Sequence, residues 1–492
     1  MRHWKTYKHI ITEYWDRILL STLIATYIFI LGSLSIARHN AFASLYDLSN
    51  MDQTLWFTLH GHFFSLRYPE EIVSRFAVHA DLILVLLSPM YLFKDDVRLL
   101  LVTESFFLGM GAIPTYFLSL KVLKDKFAAI IIAAIYLLNP GMQWTDIYDF
   151  HGVSLAIPFL LSMFYFAHAK KWKWYWVFVG LSLITKEQIS LIIAMTGIFV
   201  FFFWKKRSIG ILTFLIGIAW FVTMTYIVMP HFTPQNSHWA LQDYGEPNLL
   251  KILEGFSSPS FLKFHFLSDS SREYYMQLLK PFSFLPLLGF PWFLVSLPDF
   301  LINIIRETKS INFHYDSGTT PGLVLATIYG LGHIQVIIKT LGIGTATSKR
   351  LVKIISVGML FIALRTNYHY SPLPTTPSCW CSTYNVTRED LDFENALRKI
   401  PKDASVTASV EVKPHITHRE YAFGIPSATE SADYIALITQ NRIYGNTELK
   451  DIENKLIPML LSGNTHKVIF RSDHFYLFKK IKKGDNKVNF PK

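Results

Sequence analysis

The chain has 492 residues, of which 51% are hydrophobic, 15% aromatic and only 17% charged, against roughly 25% charged in soluble domains. That balance excludes an ordinary soluble enzyme and implies a protein solvated largely by lipid. The net charge of +11 does not indicate nucleic acid, because the basic residues fall in short clusters between apolar runs, "KVLKDK" (121–126), "KKWKW" (170–174) and "WKKR" (204–207), the pattern of topology determinants.

The first apolar run, Ile18–Ala37, is longer than the roughly 7–15 residues of a cleaved signal and reads as a retained span. A basic N-terminus in the cytoplasm sends it outward, so "SLYDLSNMDQTLWF" (44–57) emerges on the external side. The next run, 76–93, is interrupted by His79, Asp81 and Pro89 and suits a re-entrant or interfacial helix. Leu99–Leu120 then runs inward and Phe127–Met142 outward, which places "WTDIYDFHG" (144–152) outside, before Val153–Ala169 returns. Residues 174–204 are too long for one crossing and carry basic clusters at both ends. A helical hairpin with its turn near "TKEQ" (185–188) resolves this and sinks Lys186 and Glu187 below the outer surface, where charges are costly and usually functional.

Ile209–Met229 leads to a polar loop, 230–275, followed by the proline-broken stretch 281–305. Two topologies follow: if that stretch is a re-entrant hairpin, "NFHYDSG" (312–318) is external, and if it is one span, everything after it flips. The positive-inside rule favours the first. After Leu364 the pattern changes to alternating strands, "SVTASV" (405–410), "DYIALIT" (433–439), "KVIF" (467–470) and "FYLFKK" (475–480). The expected fold is mainly α, a polytopic α-helical membrane protein of about 10–11 spans or re-entrant helices. A membrane domain, 1–365, with an external loop 38–97 bearing interfacial helices, precedes a small extracytoplasmic α/β domain, 366–492. Cys379 and Cys381 are separated by one residue, a spacing that strains a direct disulfide and supplies no zinc set.

Asp47, Asp52, His79, Asp149, His151, Lys186 and Glu187 converge on the external face of this topology, joined by His314 if 281–305 is a hairpin. Carboxylates, imidazoles and a sunken lysine together suit acid/base chemistry. Each has a plainer reading. Asp47 is either a base lifting a proton from an acceptor hydroxyl or a helix cap, and Asp52 reads as a solvated interfacial charge. "DFHG" (149–152) is a turn or one wall of a pocket. Lys186 and Glu187, pointing about 100° apart on a helix, are poorly placed to pair, which leaves the ammonium available to a phosphate. Tyr46 and Trp56 either mark the interface or line a sugar or lipid site. "HGH" (60–62) lacks a third metal ligand nearby.

These elements in this order, "YDLSNMDQTLW", the histidine-led "HADLILVLLSPMYLF", "YLLNPGMQWTDIYDFHGVSLAIPFLL", "LSLITKEQISLIIAMTG" and "HYDSGTTPGLVLATIYG", resemble the predicted membrane proteins of domain-of-unknown-function family 2079. The resemblance covers roughly residues 40–340, with Ala80–Asp81 standing where the family pattern leads one to expect a proline-containing segment. That family is similar to the GT-C-fold integral-membrane glycosyltransferases. The resemblance implies an inverting, hexosyltransferase-type enzyme of the plasma membrane, with Asp47 as catalytic carboxylate and Asp149 as a second acid. Lys186 would hold the phosphate of a polyprenyl-phosphate sugar, with Glu187, His79, His151, His314, Asp52, Gln53 and Trp56 in the substrate site. The implied partners are that lipid donor, membrane lipids and a protein, glycan or lipid acceptor; no nucleic acid or firm cofactor is implied, and a divalent metal has no support in the sequence. The rival readings are a transporter or flippase gated by the broken helices, and a noncatalytic scaffold with an external binding domain.

Overall fold

A computed structural model describes residues 2–233, 254–306, 308–440, 442, 448–463 and 465–481, with backbone alone for 2–12 and 448–449. The basic start of the chain and residues 234–253 of the loop expected at 230–275 therefore lie outside the fully described residues; the rest of that stretch holds helices Pro259–Phe266 and Asp269–Leu279. The chain divides into two compact units. One comprises Met1–Ser35, Arg75–Leu86 and Leu101–Cys381, the other Ile36–Ser74, Leu87–Leu100 and Ser382–Lys492.

The first unit is helical. Among the described residues four helices are long and apolar enough to cross a membrane, Glu13–Asn40, Arg98–Leu123, Arg207–Phe232 and Thr319–Thr340, and a fifth crossing is available if Lys126–Leu137 and Pro140–Tyr148, bent by 42°, act as one. The bend has a local cause: Asn139 caps the second helix by accepting from Met142 N at 2.9 Å, and Pro140 occupies its first position. Only 17% of the most apolar window of Arg207–Phe232 is buried, and Ile211, Leu212, Leu215 and Val222 are exposed along it. Such a face suits lipid and not water.

Residues 174–204 break as expected, into Trp172–Leu183 and Ile189–Phe202. The stretch from Lys280 to Ile305 is a succession of short helical pieces, several opened by prolines near their first residues. Cys379 and Cys381 are joined in a disulfide, contrary to the expectation that their spacing disfavours one; the intervening backbone places their Cα atoms 5.1 Å apart, within the range a disulfide accepts.

The second unit is built on a five-stranded sheet of order β4-β3-β5-β7-β6. Its strands are β3 (Val406–Ala408), β4 (Ala422–Gly424), β5 (Tyr434–Ile438), β6 (His466–Arg471) and β7 (Phe475–Lys480). The short pair β1 (Ser65–Arg67) and β2 (Ile72–Ser74) forms a separate antiparallel ribbon. β3 runs parallel to β4 and β5, whereas β7 is antiparallel to β5 and β6. The period of two in β5 divides the core: Tyr434, Ala436 and Ile438 join Phe393, Leu397 and Phe475 on one face, while Ile435 and Leu437 join Ile452, Ile457 and Leu460 on the other. Helix Arg388–Leu397, opened by a capping box between Thr387 and Asp390, covers the first face. The strands β4, β1 and β2 had no counterpart in the sequence reading, being only three residues each.

Candidate active site

In the first unit, the loop 75–81 is fixed by a buried ion pair. Arg75 Nε donates to Asp81 Oδ1 at 3.0 Å and Nη2 to Oδ2 at 2.7 Å, a bidentate match that holds the turn carrying His79. Ile83 N then donates to Ile184 O at 2.8 Å, docking this segment on the helix break that bears Lys186 and Glu187. Glu187 is buried, its Oε1 lies 3.0 Å from His79 Nδ1, and its Oε2 accepts from Ala80 N at 3.1 Å. An ionised Glu187 therefore assigns the ring proton of His79 to Nδ1 and leaves Nε2 as the acceptor. Gln188 Nε2 reaches Asp299 Oδ1 at 2.8 Å, and Thr319 Oγ1 donates to Asp299 Oδ2 at 2.9 Å. Gly318 permits this approach, since a Cβ there would stand 2.5 Å from Asp299 Cγ.

The rings of His151 and His314 stack with centroids 3.5 Å apart. His151 Nδ1 lies 2.9 Å from Asp149 O, and its backbone N–H donates to Glu104 Oε1 at 3.2 Å. Asp149 is buried and extended, ending helix Pro140–Tyr148. Beneath it sit two further buried acids, Glu104 and Asp146, the latter accepting from Ser105 Oγ at 2.5 Å.

Burial, and then the charge of Lys186, lowers His79 to about 4. Burial, the neighbouring His151 and Lys186 hold His314 well below the usual imidazole range. Both rings are therefore neutral near pH 7, and Lys186 is the cation whose charge acts on both, with Arg75 acting on His79 and Arg306 on His314. The unit thus gathers His79, Asp149, His151, Lys186, Glu187 and His314, with Lys186 acting on the neutral rings of both His79 and His314.

The second unit holds the other four candidates. Asp47 lies in the first turn of helix Tyr46–Leu59, half-buried; the N-cap position belongs to Leu45, which makes no side-chain cap bond. Asp47 is thus inside the helix and not its cap, where its charge still favours the helix N-terminus. Asp52 is fully buried and not the solvated interfacial charge expected. It accepts from the hydroxyls of Tyr91 and Thr417 and lies 2.8 Å from His418 Nε2, while His418 Nδ1 lies 2.5 Å from Asp95 Oδ1. Burial opposes the imidazolium, yet the two carboxylates raise His418 to about 10. Gln53 Oε1 accepts from Arg67 N at 3.0 Å, and Trp56 stacks on His60 at 3.8 Å. A cavity of about 340 Å³ opens beside this clamp, lined by Asp52, Asp95, Arg98, Glu394, Lys402 and His418 among others.

Sequence reasoning overlooked Arg75, Asp81, Glu104, Asp146, Asp299 and His418. The acids carried a usable signal, since Glu104 and Asp299 interrupt strongly apolar runs. His418 carried none, because its partners lie far away in sequence, Asp52 366 residues earlier and Asp95 between the two. Among the described residues, no group of three or more His, Cys, Asp or Glu side chains is arranged to hold a metal ion.

Comparison with solved structures finds crystal structures of ArnT from Cupriavidus metallidurans. The form bound to undecaprenyl phosphate matches with a TM-score of 0.50 at 12% identity, covering 94% of this chain and 98% of that one. The apo form matches with a TM-score of 0.46 at 11% identity, covering 93% and 98%. The chain therefore has an ArnT-like fold of the GT-C class, with a small C-terminal sheet domain. No curated protein matches it. The model of the predicted membrane proteins DUF2079 matches residues 38–459, and the chain belongs to that family.

Proposed function

We propose that the protein is a membrane glycosyltransferase that takes a sugar from a polyprenyl-phosphate carrier and passes it to an extracytoplasmic acceptor. The observation that carries this reading is the Lys186 ammonium at a helix break, flanked by imidazoles that its own charge helps keep neutral. Such a group meets a lipid phosphate as one concentrated charge, and the neutral ring of His314 can add an N–H donor without further charge. The ArnT-like fold supports the reading, and undecaprenyl phosphate is the ligand of one of those ArnT crystals.

In the proposed reaction the acceptor hydroxyl attacks the anomeric carbon as the bond from that carbon to the phosphate oxygen breaks. Asp47 takes the hydroxyl proton, and the polyprenyl phosphate departs with the bonding electron pair, its charge stabilised by Lys186. One displacement inverts the anomeric centre. Asp149 acts as the second acid, and Glu187 sets the tautomer of His79. The N-terminus is cytoplasmic and the sheet domain extracytoplasmic, in the plasma membrane. Protein, glycan and lipid are all acceptable acceptor classes on this chemistry.

Asp47→Asn tests the catalytic assignment. Transfer in isolated membranes should fall about 10²–10⁴-fold, the usual worth of a general base, and full activity in that variant would refute it. The short helices from Lys280 to Ile305 favour one rival, a flippase, which would show lipid flux in proteoliposomes independent of Asp47.

A further inference from the structure

Three strands of the sheet, β3, β4 and β5, run parallel, with β3 between the other two. The chain leaves β3 for β4 on one side and then returns to β5 on the other. The carboxyl end of β3 is thus a topological switch point, the place where open sheets of this kind collect ligands. The residues that follow β3 are polar and chemically varied, "SVEVKPH" (409–415).

Lys413, in the turn Lys413–His415, is the unusual one. The residue is 4% exposed, yet among the described residues no carboxylate pairs with its ammonium. Burial alone lowers it, to about 8, with no counter-charge acting in the other direction. Its one close neighbour of note is the ring of Tyr46, whose centroid lies 5.3 Å from Nζ. Tyr46 is held there by β4, since its ring packs so closely over Gly424 that a Cβ at that position would come within 3.1 Å of it. A tyrosine face attracts a cation but does not neutralise it. Folded proteins seldom bury an ammonium without an anion, so the fold retains here a charge that the described side chains leave uncompensated. Tyr46 is also the first residue of the helix that carries Asp47.

We propose that Lys413, seated on Tyr46 at the carboxyl end of β3, is an anion-binding residue that receives a phosphate group. A compact ammonium suits a phosphate as a point charge, and a phosphate would supply the missing counter-charge. This site belongs to the second unit, does not use Lys186, and holds whether or not Asp47 abstracts a proton.

The test uses the full-length protein in lipid nanodiscs, followed by thermal unfolding. One arm titrates inorganic phosphate against sodium chloride at equal ionic strength; the other adds polyprenyl phosphate to the bilayer in phosphate-free buffer. The wild type should show a saturable rise in Tm of about 3 °C in at least one arm, and the arm that responds identifies the source as a soluble or a lipid phosphate. Lys413→Met should unfold in chloride no earlier than the wild type, because it removes an uncompensated charge, and should lose the rise; Asp47→Asn should keep it. An equal rise in Lys413→Met, or none in the wild type in either arm, would overturn the proposal. So would marked destabilisation of Lys413→Met in chloride, which would make the lysine a structural partner of Tyr46. Should the methionine variant fail to fold, lysine acylation of the wild type read by mass spectrometry decides: phosphate should protect Lys413 at least threefold, and unchanged labelling would overturn the assignment.

Discussion

Glu187 Oε1 lies 3.0 Å from His79 Nδ1 across 108 residues of sequence, and its second oxygen takes the N–H of the residue after that histidine. One buried carboxylate thereby sets both the tautomer of a ring and the path of its loop. Glu187→Ala removes the acceptor from a buried ring N–H and a buried backbone N–H together. It should destabilise the protein by about 1–3 kcal/mol, read from thermal unfolding in detergent, with Glu187→Gln recovering part of the loss.

The charge of Lys186 helps to hold His79 and His314 neutral. Lys186→Met should therefore raise the pKa of both rings, while burial keeps them below that of a free imidazole. Titration of labelled histidines by NMR measures this, and unmoved values would place Lys186 too far away to serve the same group.

His418 gives the second unit a distinct pH dependence. Its folded pKa of about 10 lies above the unfolded value of about 6.5, so its contribution to stability is fully present below pH 6.5 and is lost as pH rises through 10. Asp95, lowered to about 2 chiefly by its bond to His418, behaves oppositely, its contribution being present above pH 4 and lost towards pH 2. Stability of the sheet unit should thus peak between about pH 4 and 6.5 and decline by a few kcal/mol towards pH 10. His418→Gln should flatten that alkaline limb, as followed by chemical unfolding across pH.

Gly318 faces Asp299 with no room for a side chain. Gly318→Ala should cost about 1–3 kcal/mol through overpacking and loosen the bonds from Asp299 to Gln188 and Thr319. A Tm unchanged from the wild type would show that the Asp299 side chain moves aside freely.

Much of this arrangement is legible in the residues, for identifiable reasons. The helix break at 184–188 follows from a run too long for one crossing with basic ends, and the strands β3, β5, β6 and β7 follow from alternation over several residues. The meeting of His79 with Glu187 and of His151 with His314 was only a convergence on one face until tertiary structure gave it distances. Asp52 misled because acid in an aromatic, interfacial segment reads as solvated, whereas Tyr91, Thr417 and His418 bury it completely. The strand β4 and the ribbon β1–β2 are too short for any periodicity to show, and Lys413 becomes noteworthy only once its burial, with no anionic partner among the described residues, is known.

The most direct measurement is mass spectrometry of the lipid that accompanies the purified protein, with Lys186→Ala alongside. The wild type should carry a polyprenyl phosphate, free or glycosylated, and the variant should lose it. A wild type without any such lipid, or a variant that retains it in equal amount, would contradict a polyprenyl-phosphate transferase built around Lys186.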